Sequence, residues 1–405
     1  MAAAGSKRKR AASSGLADLH DDMLEGVLAR LPPAAYSRLR GVSRRWRAAA
    51  DSATFRAACA RVADRDPWFL MLQEDADQRR RPAVVFDSAG RRWARWRGAP
   101  GSVPVAAAGG LVLYRDPATG DLTVANPLTG ASRALPPPPA SYAGAGALQA
   151  VAMYGAPYRV VLITGELPDL STVTFDSATG AWGEAAALAR KPEEETAGAA
   201  AAGRERAAAE DGEGDDTVYF LSKSGDVVAT TMQRSAARLY SSAVACGGNG
   251  EEEAAVAYFL SRSGAVVACD LARRAFAELP RVLPAYHEYS IDVVACGGAA
   301  YAVVLSEFLD APSLRVWEPA PSGAWRQVAA MPPAMAHAFR GAKADVNCVG
   351  HGHRLMVCVS SGDPGASGCF LCDVRTNRWE ELPPRADDGD LVAALSFEPR
   401  MEAAV

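Results

Sequence analysis

The chain has 405 residues, 49% of them hydrophobic and 22% charged, and a net charge of −4. It is too long for one ordinary core; its near-balanced charge makes no global case for nucleic acid, and no apolar run reaches membrane-spanning length. Basic residues without an apolar stretch behind them at the N-terminus argue against secretion, and the eight scattered cysteines read as buried thiols, not as a disulfide framework.

Residues 1–15 are small, polar and basic and are expected to be disordered. Within them Lys7-Arg8-Lys9-Arg10 is similar to a short nuclear import signal, so nucleus and/or cytoplasm is the expected location. Residues 16–62 then read as a compact set of short helices. Met23, Leu24, Val27, Leu28 and Leu31 recur at the steps of one helical face, Asp21 and Asp22 stand where short acidic side chains cap free amides, and Pro32-Pro33 stops the helix. Leu39, Val42 and Trp46 mark a second periodic stretch, and Ser52 is the expected N-cap of a third that buries Phe55, Cys59 and Val62. About 45 residues with so few large apolar side chains make a marginal core, so part of the apolar face is expected to wait for a partner.

In order and spacing these residues resemble the F-box. Its pattern appears as Leu19, then Met23, Leu24, Glu25, Val27 and Leu28, then Leu31-Pro32, then Val42-Ser43-Arg44-Arg45-Trp46, then Phe55. One position departs, since the first proline of the pattern is His20 here. The resemblance implies binding to the Skp-type adaptor of cullin–RING ubiquitin ligases through Leu19, Leu31, Pro32, Val42 and Trp46.

The body of the chain, 67–400, is a repeat array. A strand-like run ending in an acidic residue, a turn rich in Ser, Thr and Gly, and an aromatic recur together. The copies are Phe86-Asp87 to Trp93, Phe175-Asp176 to Trp182, Cys269-Asp270 to Phe276, Trp317-Glu318 to Trp325 and Cys372-Asp373 to Trp379. A weaker copy, Asn126-Pro127 through Thr129-Gly130, has an amide and lacks the aromatic. Such turns join antiparallel strands. Trp93, Trp182, Trp325 and Trp379 are expected at equivalent blade positions, each packing its indole between adjacent sheets, with Phe276 in the same place.

The double-sized gap between Asp176 and Asp270 leaves room for one more unit. Residues 219–228 match 258–267 closely and are read as that unit, with a degenerate hairpin around Thr231 to Arg238. A period of roughly 40–55 residues built from short strands, with Gly109-Gly110, Gly247-Gly248 and Gly297-Gly298, is the signature of kelch-type propeller blades, six to seven of them. Pairing the lone strand Val392 to Phe397 with the three strands between Phe69 and Trp96 would complete the first blade and hide two sheet edges. A β-sandwich pair is the alternative architecture. The Ala, Glu and Gly tract 193–216 is expected to be a disordered loop near 190–216.

His20, His287, His337, His351 and His353 accompany no nucleophile elbow, phosphate loop or metalloprotease helix, so no catalytic residue and no cofactor is assigned. The best metal candidate joins His351 and His353 to Cys369 and Cys372. Those cysteines lie three apart in a strand, where they point to opposite faces, and are expected to fill a blade core; no metal site is assigned. Target capture is expected at one mouth of the ring, where loops converge. Tyr286-His287-Glu288-Tyr289, Glu307-Phe308-Leu309 and His337-Ala338-Phe339-Arg340 combine aromatic and charged groups at strand boundaries, with Tyr289, Phe308 and Arg340 as the anchors.

Together the two parts resemble the plant F-box/kelch-repeat proteins over nearly the whole chain. Asp66-Pro67-Trp68-Phe69, Arg315-Val316-Trp317 and Trp379-Glu380-Glu381-Leu382-Pro383 reinforce the likeness. It implies a mainly β chain, a six- to seven-bladed kelch-type β-propeller preceded by a small all-α F-box module. The implied role is a non-catalytic substrate-recognition subunit of a Skp–cullin–F-box ubiquitin ligase. A non-degradative scaffold and, further off, a propeller enzyme are the alternatives, because fold alone does not separate them.

Overall fold

The computed structural model describes residues 20–405 except 42–43, 51, 75–79, 97, 99–100, 140–147, 192–216, 222–226, 232–241, 246–254, 261–265, 284–288, 309–310, 321–323, 343, 362–363 and 386–389. The tract 193–216, the basic tail and, past Thr231, the Thr231 to Arg238 hairpin therefore lie outside the described residues.

Four short helices, α1 (Asp21–Ala29), α2 (Pro33–Arg40), α3 (Arg44–Ala50) and α4 (Ala53–Ala60), form the N-terminal module. Pro32-Pro33 does more than stop α1: Pro33 opens α2, where a missing N–H is harmless and the ring already holds a helical φ. The second periodic stretch is thus two helices instead of one. Ser52 caps α4, its hydroxyl accepting from Phe55 N at 2.9 Å. Asp21 and Asp22 lie inside the first turn of α1 and not at its cap, where their charge meets the positive helix end. Leu24, Leu28, Ala29, Tyr36, Phe55, Ala58 and Cys59 make the core, with Tyr36 stacked on Phe55 at 5.4 Å. Glu25 is buried on this inner side because the hydroxyls of Ser52 and Thr54 donate to it at 2.8 and 3.0 Å.

Beyond Pro67 the chain builds antiparallel sheets. β1 (Trp68–Glu74), β2 (Arg80–Asp87) and β3 (Arg92–Arg95) belong to blade one. Blade two is β4 (Val103–Ala108), β5 (Leu111–Arg115), β6 (Leu122–Ala125) and β7 (Ser132–Ala134). Blade three is β8 (Leu148–Tyr154), β9 (Arg159–Glu166), β10 (Asp169–Asp176) and β11 (Ala181–Trp182), with β12 (Ala186–Ala187) also on β10.

β13 (Ala189–Arg190) edges blade four, and β14 (Thr217–Leu221) pairs with β15 (Val227–Thr231) as a separate two-stranded sheet. Blade four itself is β16 (Ser242–Ala245), β17 (Val256–Leu260), β18 (Val266–Asp270) and β19 (Ala275–Glu278). β20 (Tyr289–Cys296), β21 (Ala299–Phe308), β22 (Ala311–Pro319) and β23 (Trp325–Ala330) make blade five. β24 (Ala344–His351), β25 (Arg354–Ser361), β26 (Gly368–Asp373) and β27 (Arg378–Glu381) make blade six. Finally β28 (Asp390–Phe397) pairs with β1, from Trp68 opposite Phe397 to Glu74 opposite Asp390, and so supplies the inner strand of blade one.

The ring has six blades, which settles the range of six to seven. The matched stretches 219–228 and 258–267 are two hairpins of like sequence; the second fills blade four, while the first belongs to none of the six sheets. Six hydrophobic clusters seal the six junctions between blades, as alternation along each strand requires. A sandwich pair would have one shared core. Among the described residues the inner strands of neighbouring blades share no ladder, and side chains join those of blades five and six: Ser290 Oγ accepts from Val346 N at 3.0 Å and Asp292 Oδ2 from Cys348 N at 2.6 Å.

The recurring acidic or amide residue has a local cause. Asp87, Asn126, Asp176, Asp270 and Asp373 each accept a turn N–H through a side-chain oxygen, at 3.1, 3.0, 2.8, 2.9 and 3.0 Å. Glu318 pairs instead with Arg326 across the blade-five turn.

The aromatic that follows lies on the outermost strand. Trp93, Trp182, Phe276 and Trp379 share one register, opposite Phe86, Phe175, Cys269 and Cys372. Trp325 does not: Glu318 pairs with Arg326, where the other blades pair the acidic residue with the one five positions on, and Trp325 stands opposite Pro319. Nor are the indoles wholly buried between sheets. They are half-exposed latches: Trp93, Trp182 and Trp325 donate to the carbonyls of Pro383, Pro136 and Pro280 in the preceding blade at 2.8, 2.7 and 2.6 Å. Trp379 donates to Asn377 Oδ1, which also accepts from Ala330 N of blade five. Trp182→Phe keeps the ring and removes the N–H, so it should lower stability by about 1 kcal/mol in urea unfolding. Trp93→Phe should add a similar loss independently, since the two latches share no partner.

Candidate functional surfaces

The helical module sits at one end of the ring. β1 enters opposite the last residue of β28, and a cavity of about 650 Å³ brings Ala60 of α4 together with Ala108, Gly155, His351 and Phe397, at or just past the ends of four inner strands. A second cavity of about 360 Å³ continues into the channel along small residues such as Ala106, Ala152, Ala295 and Gly350. At the neck His351 Nε2 lies 3.2 Å from Glu398 Oε1.

The expected target anchors fall at the other end. Tyr289 is the first residue of β20 and Phe308 the last of β21; antiparallel pairing of Tyr289 with Ser306 puts both at the ring end away from Cys296 and the helices. Arg340 follows the short helical turn His337–Phe339 and is exposed, and next to it Gly341 N donates to Glu307 at 3.0 Å. Tyr286, His287, Glu288 and Leu309 lie outside the described residues. Phe339 is a correction: it is 2% exposed and meets Phe370 edge-on at 5.8 Å, so it is core and not a contact residue.

On the helical module, Leu31 and Trp46 are half-buried against the core and Pro32 is exposed, while Leu19 and Val42 lie outside the described residues. Met23 and Val27 do not share the inner face with Leu24 and Leu28; they are 61% and 45% exposed and form a second apolar stripe on α1. Two stripes one residue apart look like a single wide face in sequence, and burial tells them apart. His20 holds φ −61°, which is also proline's angle, so the departure from the family pattern leaves the backbone in place.

Cys369 and Cys372 pack into different clusters, on opposite faces of β26. Burial pushes the Cys269 and Cys372 thiols up to about 12 and Cys296 up to about 11, which keeps these groups protonated and unreactive near neutrality.

A four-helix module with an unpartnered apolar stripe, mounted on a six-bladed propeller, defines the molecule as a modular F-box–propeller protein, and residues 16–57 match the F-box domain. The chain is 38% identical to "F-box only protein 13" of Arabidopsis thaliana over 96% of its length and 85% of that protein's. It therefore belongs to the F-box protein family. A shorter stretch, 28% of this chain and 25% of the other, is 32% identical to "F-box only protein 6" of Arabidopsis thaliana. Among solved structures, one titled "Crystal structure of Nidogen/Laminin Complex" overlaps 82% of this chain and 99% of its own at TM-score 0.42 and 7% identity, too distant to bear on function.

Proposed function

We propose that this protein is the substrate-recognition subunit of a Skp–cullin–F-box ubiquitin ligase. The observation that carries this is the exposed stripe of Met23 and Val27 on α1 of an F-box module whose own core is already complete. Leu31, Pro32 and Trp46 complete the adaptor surface with Leu19 and Val42. The propeller holds a protein target at the ring end that carries Tyr289, Phe308 and Arg340, and the chain contributes proximity and orientation, not a nucleophile. We assign the blades to the kelch type, supported by the Gly109-Gly110 and Gly297-Gly298 turns and by tryptophans on four outermost strands. Nucleus and/or cytoplasm is the proposed location, from the Lys7 to Arg10 run.

Affinity purification from cells with the proteasome blocked tests both surfaces at once. The parent chain should recover a Skp-type adaptor and a target. Replacing Tyr289, Phe308 and Arg340 by alanine should lose the target and keep the adaptor; recovery of the same targets by this variant would refute the proposed mouth. A target whose lifetime is unchanged when this chain is removed would instead identify a scaffold.

A further inference from the structure

β28 closes the ring at Phe397, yet the chain runs on from there into both halves of the molecule. The Arg400 guanidinium donates to Ala63 O at 2.7 Å and Val62 O at 3.2 Å, the carbonyls just past α4. It is held from behind by Glu398 Oε2 at 2.7 Å from Nε and by Glu402 Oε1 at 3.1 Å from Nη1. A planar, five-donor group suits a site that must satisfy two carbonyls and two carboxylates together. Met401 then packs on the helical core, beside Leu28, Tyr36 and Phe55.

The same segment is tied to the propeller. Asn126 Nδ2 donates to Arg400 O and Ala403 O, both at 2.9 Å, and Ala403 and Val405 pack on the cluster between blades two and three. Four of the five sister turns carry Asp at the Asn126 position, and a carboxylate accepts the turn N–H equally well but cannot donate. Gly110, at φ +89°, lets the segment approach; a Cβ there would stand 2.7 Å from Arg400 Cβ.

We propose that Glu398–Val405 is a clasp that fixes the helical module on the propeller in one orientation, with Arg400 as its positioning residue. Only its consequence rests on the substrate-receptor reading: with the module fixed at one end of the ring and the target loops at the other, ubiquitin reaches a restricted set of positions.

Spin labels at Arg47→Cys and Thr119→Cys, both exposed positions, report module-to-blade distances by double electron–electron resonance in a Cys246→Ser background, since the seven other cysteines are buried. The parent should give one narrow distance. Arg400→Ala should broaden it several-fold while the propeller's unfolding midpoint holds, and Arg400→Lys should restore it only in part. Asn126→Asp loosens the clasp from the propeller side, away from the helical core, and stands as the second variant if Arg400→Ala folds poorly. A broad parent distribution, or variants as narrow as the parent, would overturn the clasp. In a reconstituted ligase, the pattern of self-transfer among the chain's lysines, mapped by mass spectrometry, should differ between the parent and the variants. Absence of transfer and of adaptor binding in every chain counts against the receptor reading, and the distance distribution alone then decides the clasp.

Discussion

A chain carrying Met23→Asp and Val27→Asp is expected to lose a Skp-type adaptor while folding as the parent does. Both side chains are exposed, at 61% and 45%, so the helical core of Leu24, Leu28 and Phe55 is untouched by the change. Covering the rest of their apolar surface on binding is worth about 2–4 kcal/mol together, and its loss weakens affinity about thirty- to a thousandfold before the cost of burying two carboxylates is added. Leu31→Ala with Pro32→Ala should also weaken the complex, but Leu31 packs partly on the core, so that variant mixes binding with stability. Circular dichroism separates the two. Full adaptor retention by the aspartate variant in a pull-down would reassign the binding face.

Phe175→Ala should be among the most damaging single truncations in the propeller, at about 3–5 kcal/mol in urea unfolding. Its ring is fully buried at the junction of blades two and three, 5.4 Å from Trp182 and 6.3 Å from Tyr158. A typical domain is stable by only about 5–15 kcal/mol, so one such cavity takes a large share. Trp182 should cost less when truncated despite its size, because it is half-exposed and its indole acts chiefly through the bond to Pro136 O. An equal loss at the two positions would show that the outer latch carries as much as the core.

The blade rhythm was legible because its cause is local. An Asx side chain closes its own turn and the strands on either side fall into register, so Asp87, Asp176, Asp270 and Asp373 mark hairpins whatever the rest of the chain does. Ser52 as a cap and the pairing of β28 with β1 were legible for similar reasons: one needs a single hydroxyl, the other an odd strand at each end of a ring. The blade count was not. Strands 217–221 and 227–231 pair just as 256–260 and 266–270 do, and among the described residues the second pair alone gains a further strand, β16.

Tertiary structure likewise decided which stripe of α1 faces inward, since a nine-residue helix with apolar residues at 23, 24, 27 and 28 offers two choices and only packing on Phe55 and the Glu25 hydrogen bonds select one. It placed Phe339 in the core and Trp325 opposite Pro319, out of register with the other blades. The sequence by itself determined two modules, their order and the β-turn repeat, all set by contacts within a few tens of residues. The clasp of Arg400 on Val62 and Ala63 joins positions more than 330 residues apart, and nothing local to either end encodes that meeting; it exists because closing the ring brings the last strand back beside the first.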